Sequence, residues 1–366
     1  MDMTDLAVPQ DARVRLVARF GPCAEEWCDT LPERLGLLAG RWSLALGEQS
    51  GGGTSRVVRC RLADGADAYL KLTPDPDIAR QEAEALRLWD CGGRTPRLLD
   101  AAQAEGALLI AAVDGADGRA ARTLAESLRE GTDGEFGPGG RAGERLGEVA
   151  VLLASLRGRV PGPGTGLPSL AERIDFLFEL TRRRIDAAAA VTVSAGTSAT
   201  AAVTATEAAA VTVPTAVEKE ASTEADREPG PGDLVVTPEL VEGCRRAALA
   251  LARSGPAFLV HGDLHPGNVL DPGGGAGLVA IDPRPCVGDP DFDAVDWVLA
   301  GVRSEAAVHD RIRRLVELVP GLDEARVRGW CRATAVIIAG PRAARGARDP
   351  HTRLLLGLAA LADASE

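Results

Sequence analysis

His261-Gly262-Asp263-Leu264-His265-Pro266-Gly267-Asn268-Val269-Leu270, followed after a glycine-rich turn by Val279-Ala280-Ile281-Asp282, brings three oxygen-bearing side chains onto one hairpin. Asp263 can accept the proton of an attacking hydroxyl. Asn268, five residues on, and Asp282, at the end of the next strand-like run, carry the hard oxygen donors that magnesium prefers. Such a spacing suits phosphoryl transfer, where charge spreads over oxygens and the protein mainly positions and neutralises. His261 and His265 stand four apart, the spacing of a zinc pair on a helix. Pro266-Gly267 argue for a loop instead.

Upstream, Arg13 to Leu38 reads as one or two amphipathic helices, and three strand-like runs follow: Ser43 to Gly47, Arg56 to Arg61 and Ala68 to Leu72. A helix is expected after Pro76, with Leu86 and Trp89 on its buried face and Cys91-Gly92-Gly93 ending it. Pro96 to Leu99 and Ala107 to Val113 read as a hairpin, which completes a five-strand lobe with one internal helix.

Beyond this the pattern turns helical: Arg119 to Arg129, Arg141 to Leu156, Leu170 to Ala189 and Pro238 to Arg253. Gly131 to Gly140 is a glycine-rich loop. The segment Ala190 to Asp233 is rich in Ala, Thr, Val, Ser and Glu and holds few large apolar residues, so it reads as a disordered insertion. An Ala-rich helix is the alternative there. Short strands at Ala257 to Val260, Val269 to Leu270 and Gly277 to Ile281 carry the motif loops, and helices follow to the end.

The fixed positions of the motif resemble the aminoglycoside phosphotransferase family, whose catalytic loop reads His-Gly-Asp-x-x-x-x-Asn and whose metal segment reads Ile-Asp. Asp282-Pro283 and Gly288-Asp289-Pro290-Asp291-Phe292-Asp293 are similar to its streptomycin and hydroxyurea kinase branch. The resemblance implies an α+β, two-lobed protein-kinase-like fold: a small antiparallel-sheet lobe over residues 1–113 and a larger, mostly helical lobe over 114–366, with 190–233 inserted. It implies ATP and Mg2+ as cofactors, Asp263 as catalytic base, and Asn268 and Asp282 as metal ligands.

By the same resemblance Lys71, at the end of its strand, stands where the family holds the α- and β-phosphates, and a helix glutamate should pair with it. Glu82 fits that role through its spacing to Leu86 and Trp89, with Glu84 as competitor. Gly51, Gly52, Gly53 and Thr54 join two strands without opening a helix, so they form no Walker loop; they would cover phosphates with backbone N–H groups. His261 would shape the catalytic loop, and Asp293 would open a helix and bond the loop backbone. Adenine would lie after Leu108-Leu109-Ile110, where this chain has Ala111-Ala112 in place of the branch's usual Glu-Arg.

Composition narrows the partner. The 366 residues suffice for two lobes, and acidic residues exceed basic ones by twelve, which disfavours a nucleic-acid backbone binder and suits a cationic small molecule. Asp289, Asp291 and Asp296 crowd beside the metal segment and could face a guanidinium or ammonium group, or simply cap and solvate. Seven scattered cysteines without a Cys-x-x-Cys pair suit a reducing cytoplasm. Acidic residues near Met1 argue against export, and the apolar content of Ala187 to Thr206 is only Ala and Val, poor material for a membrane span. The expected activity is transfer of the ATP γ-phosphoryl group to a hydroxyl of a streptomycin-like acceptor. Hydroxyurea or a metabolite as acceptor, and a catalytically idle nucleotide-binding module, are the alternatives.

Overall fold

The computed structural model describes residues 6–51, 54–129, 141–197 and 235–363. Along the chain run α1 (Gln10–Phe20), α2 (Cys23–Trp42), β1 (Ala45–Gly51), β2 (Arg56–Arg61), β3 (Asp67–Leu72), α3 (Pro76–Trp89), β4 (Leu98–Ala102), β5 (Ala107–Ala111) and β6 (Arg122–Thr123). They are followed by α4 (Leu124–Arg129), α5 (Arg141–Leu156), α6 (Leu170–Thr197), α7 (Pro238–Ser254), β7 (Phe258–Val260), β8 (Val269–Asp271), β9 (Val279–Ala280) and β10 (Cys286–Gly288). Helices α8 (Val295–Leu299), α9 (Glu305–Leu318), α10 (Glu324–Ala344) and α11 (Pro350–Asp363) close the chain. The expected α+β, protein-kinase-like class is the one observed: an antiparallel sheet unit and a mostly helical unit.

One unit groups the described residues up to Arg122 with Leu270–Arg284, and the other carries the rest of the described chain. In the first, five strands lie in the order β1-β2-β3-β5-β4, every neighbour antiparallel. Alternation along β3 sends Ala68, Leu70 and Leu72 to one face, where Leu16 of α1 and Leu31, Leu35 and Leu38 of α2 complete a core. On the opposite face, Ala79, Ala83 and Leu86 of α3 pack against Leu108 and Ile110 of β5. Lys71 belongs to that second face by register alone, since it alternates with Leu70 and Leu72 and pairs with Leu108 across the β3–β5 ladder.

Asp75 caps α3, accepting from the Asp77 N–H at 3.0 Å, and Pro76 occupies the first turn, where a missing N–H costs nothing. In the second unit, β7 pairs antiparallel with β10, and α10 packs with α6, α7 and α11. Ser304 and Asp323 cap α9 and α10 through their side chains.

Several boundaries differ from the sequence reading. Strand β1 begins at Ala45 because α2 runs on to Trp42 and Ser43 ends it with φ +53°. The helix expected over Arg119 to Arg129 starts only at Leu124, since the Ala121 N–H donates to the Val113 carbonyl and Thr123 and Glu126 close a capping box. Strand β10 was not expected; it is only three residues long. Helix α6 continues past Ala189 to Thr197. The rest of the supposed insertion, 198–233, lies outside the described residues, as does the glycine-rich stretch 131–140. No described helix is long and apolar enough to cross a membrane.

Candidate active site

In the sheet unit the centre is a buried ionic cluster. The Lys71 Nζ donates to both Glu82 carboxylate oxygens, at 2.8 and 2.6 Å, and to Asp282 Oδ1. Lys71 is 5% exposed and Glu82 2%. Glu82 reaches the lysine because Ala79, Glu82, Ala83 and Leu86 share the face of α3 turned to the sheet. Glu84 lies off that face, 3.9 Å from Arg87. Burial pulls the pKa of the Lys71 ammonium down; the carboxylates of Asp282 and Glu82 outweigh that and push it up, which favours the cation.

Asp282 sits just past β9 with φ +55°, a left-handed backbone that Asp tolerates better than most residues. Two residues on, the Arg284 guanidinium donates to the Thr54 hydroxyl. Thr54 is buried at the end of the glycine turn, and Gly51 closes β1. Gly52 and Gly53, expected to cover phosphates, lie outside the described residues. Beyond β5 the Ala111 N–H donates to the Arg97 carbonyl and the Ala112 N–H to that of Asp67, so both are spent within the sheet.

In the helical unit Asp263 and Asn268 meet across the loop. The Asn268 Nδ2 donates to the Asp263 carbonyl at 2.9 Å and to its Oδ2 at 3.2 Å. The loop is tightened by the His265 N–H on the Asp263 carbonyl, the Asn268 N–H on the His265 carbonyl, and the Gly267 N–H on His265 Nδ1. His265 therefore serves as a hydrogen-bond acceptor in the turn rather than as half of a zinc pair. Among the described residues no group of three His, Cys, Asp or Glu side chains could hold a metal.

Asp293 accepts from the His261 N–H at 2.8 Å and the Gly262 N–H at 2.9 Å. It is buried, and that burial raises its carboxyl to about 7 against the two N–H donors. Gly262 has φ +74°, a conformation that lets its N–H and carbonyl face two partners at once. The carbonyl accepts from Arg173 Nε at 3.2 Å, while Arg173 Nη2 lies 3.4 Å from Asp263 Oδ1.

Arg173 was missed by sequence reasoning. It stands on α6, ninety residues before its partner, and no local spacing announces it. Asp289 and Asp291, read as candidates for a cationic ligand, are occupied inside the fold. Asp289 Oδ2 accepts from Arg326 Nε and Trp330 Nε1, both at 2.7 Å, and Oδ1 accepts from the Asp291 N–H. Asp291 pairs with Arg157 at 2.7 Å and accepts from the Asp323 N–H. Asp296 stays in range of the loop, its charge felt alongside those of His265 and Asp263, and burial raises its carboxyl to about 6.

A family model described as aminoglycoside/hydroxyurea antibiotic resistance kinase matches residues 213–346. The streptomycin 6-kinase of Streptomyces glaucescens is 30% identical over 340 residues, 88% of this chain and 86% of that one. The hydroxyurea phosphotransferase of Kitasatospora aureofaciens is 29% identical over 328 residues, 87% of this chain and 75% of that one. Among solved structures, choline kinase LicA from Streptococcus pneumoniae aligns with a TM-score of 0.47 at 13% identity over 91% of this chain and 100% of that one. The chain is a phosphotransferase of the kinase class. It belongs to the aminoglycoside/hydroxyurea antibiotic resistance kinase family.

Proposed function

We propose that this chain transfers the γ-phosphoryl group of ATP to a hydroxyl of a small polar, cationic acceptor, a streptomycin-like aminoglycoside first. The observation that carries the reading is Lys71, kept charged in a buried site by Glu82 and Asp282, as a phosphate-holding cation must be. Lys71 holds the α- and β-phosphates, Glu82 fixes the lysine, and the turn around Gly51, Gly52, Gly53 and Thr54 covers the phosphates.

Asp263 is the general base. Its Oδ2 accepts from Asn268, and the N–H groups of the two residues before it, His261 and Gly262, are held by Asp293, so little reorganisation is needed when it takes the hydroxyl proton. The acidity of the chain as a whole, with a net charge of −12, favours a cation as acceptor.

Magnesium would be held by Asp282 and Asn268. The donors fit: one is a carboxylate, and the other is an amide whose nitrogen is turned onto Asp263, leaving its oxygen for a cation. Magnesium needs no full protein cage, since phosphates and waters complete its shell; when bound it neutralises charge on the phosphate oxygens.

Likeness to a hydroxyurea phosphotransferase supports hydroxyurea as a second acceptor class. The test is ATP consumption with magnesium across streptomycin, other aminoglycosides, hydroxyurea and small amino alcohols. Turnover with one acceptor fixes reaction and substrate class together. Silence across the panel with ATP still bound would replace this reading with a metabolite kinase or an idle nucleotide-binding module.

A further inference from the structure

We infer that Arg284 is a second phosphate-binding cation of the nucleotide site, a role that rests on the kinase reading above and adds to it a residue with no assigned part. Arg284 follows Asp282 by two residues and lies between Pro283 and Pro285. Two prolines restrict the backbone around it, so the side chain starts from a fixed base. Its guanidinium is held at one end by the Thr54 hydroxyl, at the close of the glycine turn. The other terminal nitrogen, Nη1, is buried and makes no hydrogen bond among the described residues.

A purely structural arginine would place that nitrogen on a carbonyl or a carboxylate. Here the carboxylates of the cluster, Glu82 and Asp282, are both taken by Lys71, and Arg284 forms no ion pair with them. Its charge acts on Lys71 as a like-charged neighbour. Two cations side by side, one with a buried donor to spare, match a polyanion better than any internal partner. A guanidinium offers phosphate two parallel donors in a rigid fork, which an ammonium cannot. Nucleoside di- and triphosphates therefore fit the site, with Lys71 and Arg284 sharing the phosphate charge.

The test is calorimetric titration of ATP, ADP and adenosine into the full-length wild type and into Arg284→Gln, Arg284→Lys and Thr54→Val, each checked by thermal melting. Arg284→Gln should weaken ATP and ADP tenfold or more while leaving adenosine unchanged, the scale expected for losing one charge-assisted hydrogen bond. Arg284→Lys should recover part of the loss, and Thr54→Val should lose about threefold through the freed guanidinium. Equal ATP affinity in wild type and Arg284→Gln overturns the assignment, as does a parallel loss of adenosine, which marks a structural role. If Arg284→Gln does not fold, wild-type ATP affinity in both other variants overturns it. A wild type that binds no ATP overturns the nucleotide reading itself, and the two failures are thereby told apart.

Discussion

Lys71 Nζ lies 2.6 Å from Glu82 Oε2 with both side chains almost wholly buried, a strand residue and a helix residue joined across one face of the sheet. A buried pair of this kind is costly to break and cheap to replace, because removing one partner strands a charge while removing both removes the desolvation penalty. Glu82→Leu should therefore lose about 3 kcal/mol of stability. The double variant Lys71→Met with Glu82→Leu should be at least as stable as that single variant, yet show no turnover. Urea unfolding and ATP consumption measured on the same preparations check both halves.

Asp263→Asn keeps the shape of the loop and removes the carboxylate proposed as the base. On the proposed mechanism turnover should fall by about 10³, within the span general-base catalysis commonly supplies, with ATP affinity unchanged. Steady-state kinetics beside calorimetric ATP binding decide the matter, and full activity would remove Asp263 from its role.

Asp293 makes no contact with substrate in this scheme; it holds the loop that carries Asp263. Asp293→Ala leaves the N–H groups of His261 and Gly262 buried without acceptors, at a cost of about 2–4 kcal/mol. Asp293→Asn, which keeps one acceptor oxygen, should lose less. Chemical denaturation of the two variants gives the comparison.

Two carboxyls tie stability to pH in opposite directions. Burial raises Asp296 to about 6, with His265 pulling against this and Asp263 adding to it. Between its ordinary value of 3.8 and about 6 the folded chain keeps a proton the unfolded chain has released, so this group's contribution falls as pH rises through that window. Burial also pushes Asp349 up, but Thr352, through its hydroxyl and its N–H, and Arg342 overcome it and hold the carboxyl at about 2. Its contribution is present above 3.8 and is lost as pH falls toward about 2. Urea midpoints followed across this range should flatten on the neutral side in Asp296→Asn and on the acid side in Asp349→Asn.

The pairs that the fold brings together in the candidate site, Lys71 with Glu82 and Asp263 with Asn268, were legible because their signals are local. The Asp263 to Asn268 spacing is a property of one loop, and Lys71 and Glu82 can each be placed by the period of their own strand or helix. Glu82 and Glu84 differ by two positions, which on a helix turns a side chain by more than half a circle, so period alone favours one for the buried face. The capping box Thr123 to Glu126 is equally local and marks the start of α4 in the sequence itself.

Local patterns in the chain were thus enough for the Asp263 to Asn268 spacing, the sheet with its inserted helix, and the family. Tertiary structure alone decided which charges are spent. Asp289 and Asp291 look alike in sequence to any acidic ligand-binding pair, but Arg326, Trp330 and Arg157 reach them from 35 or more residues away, or from far upstream. Arg173 meets Asp263, and Arg284 meets Thr54, over separations of 90 and 230 residues. Periodicity reports which face a side chain takes on its own element; which partner stands opposite depends on how distant elements pack, and no short-range pattern encodes it.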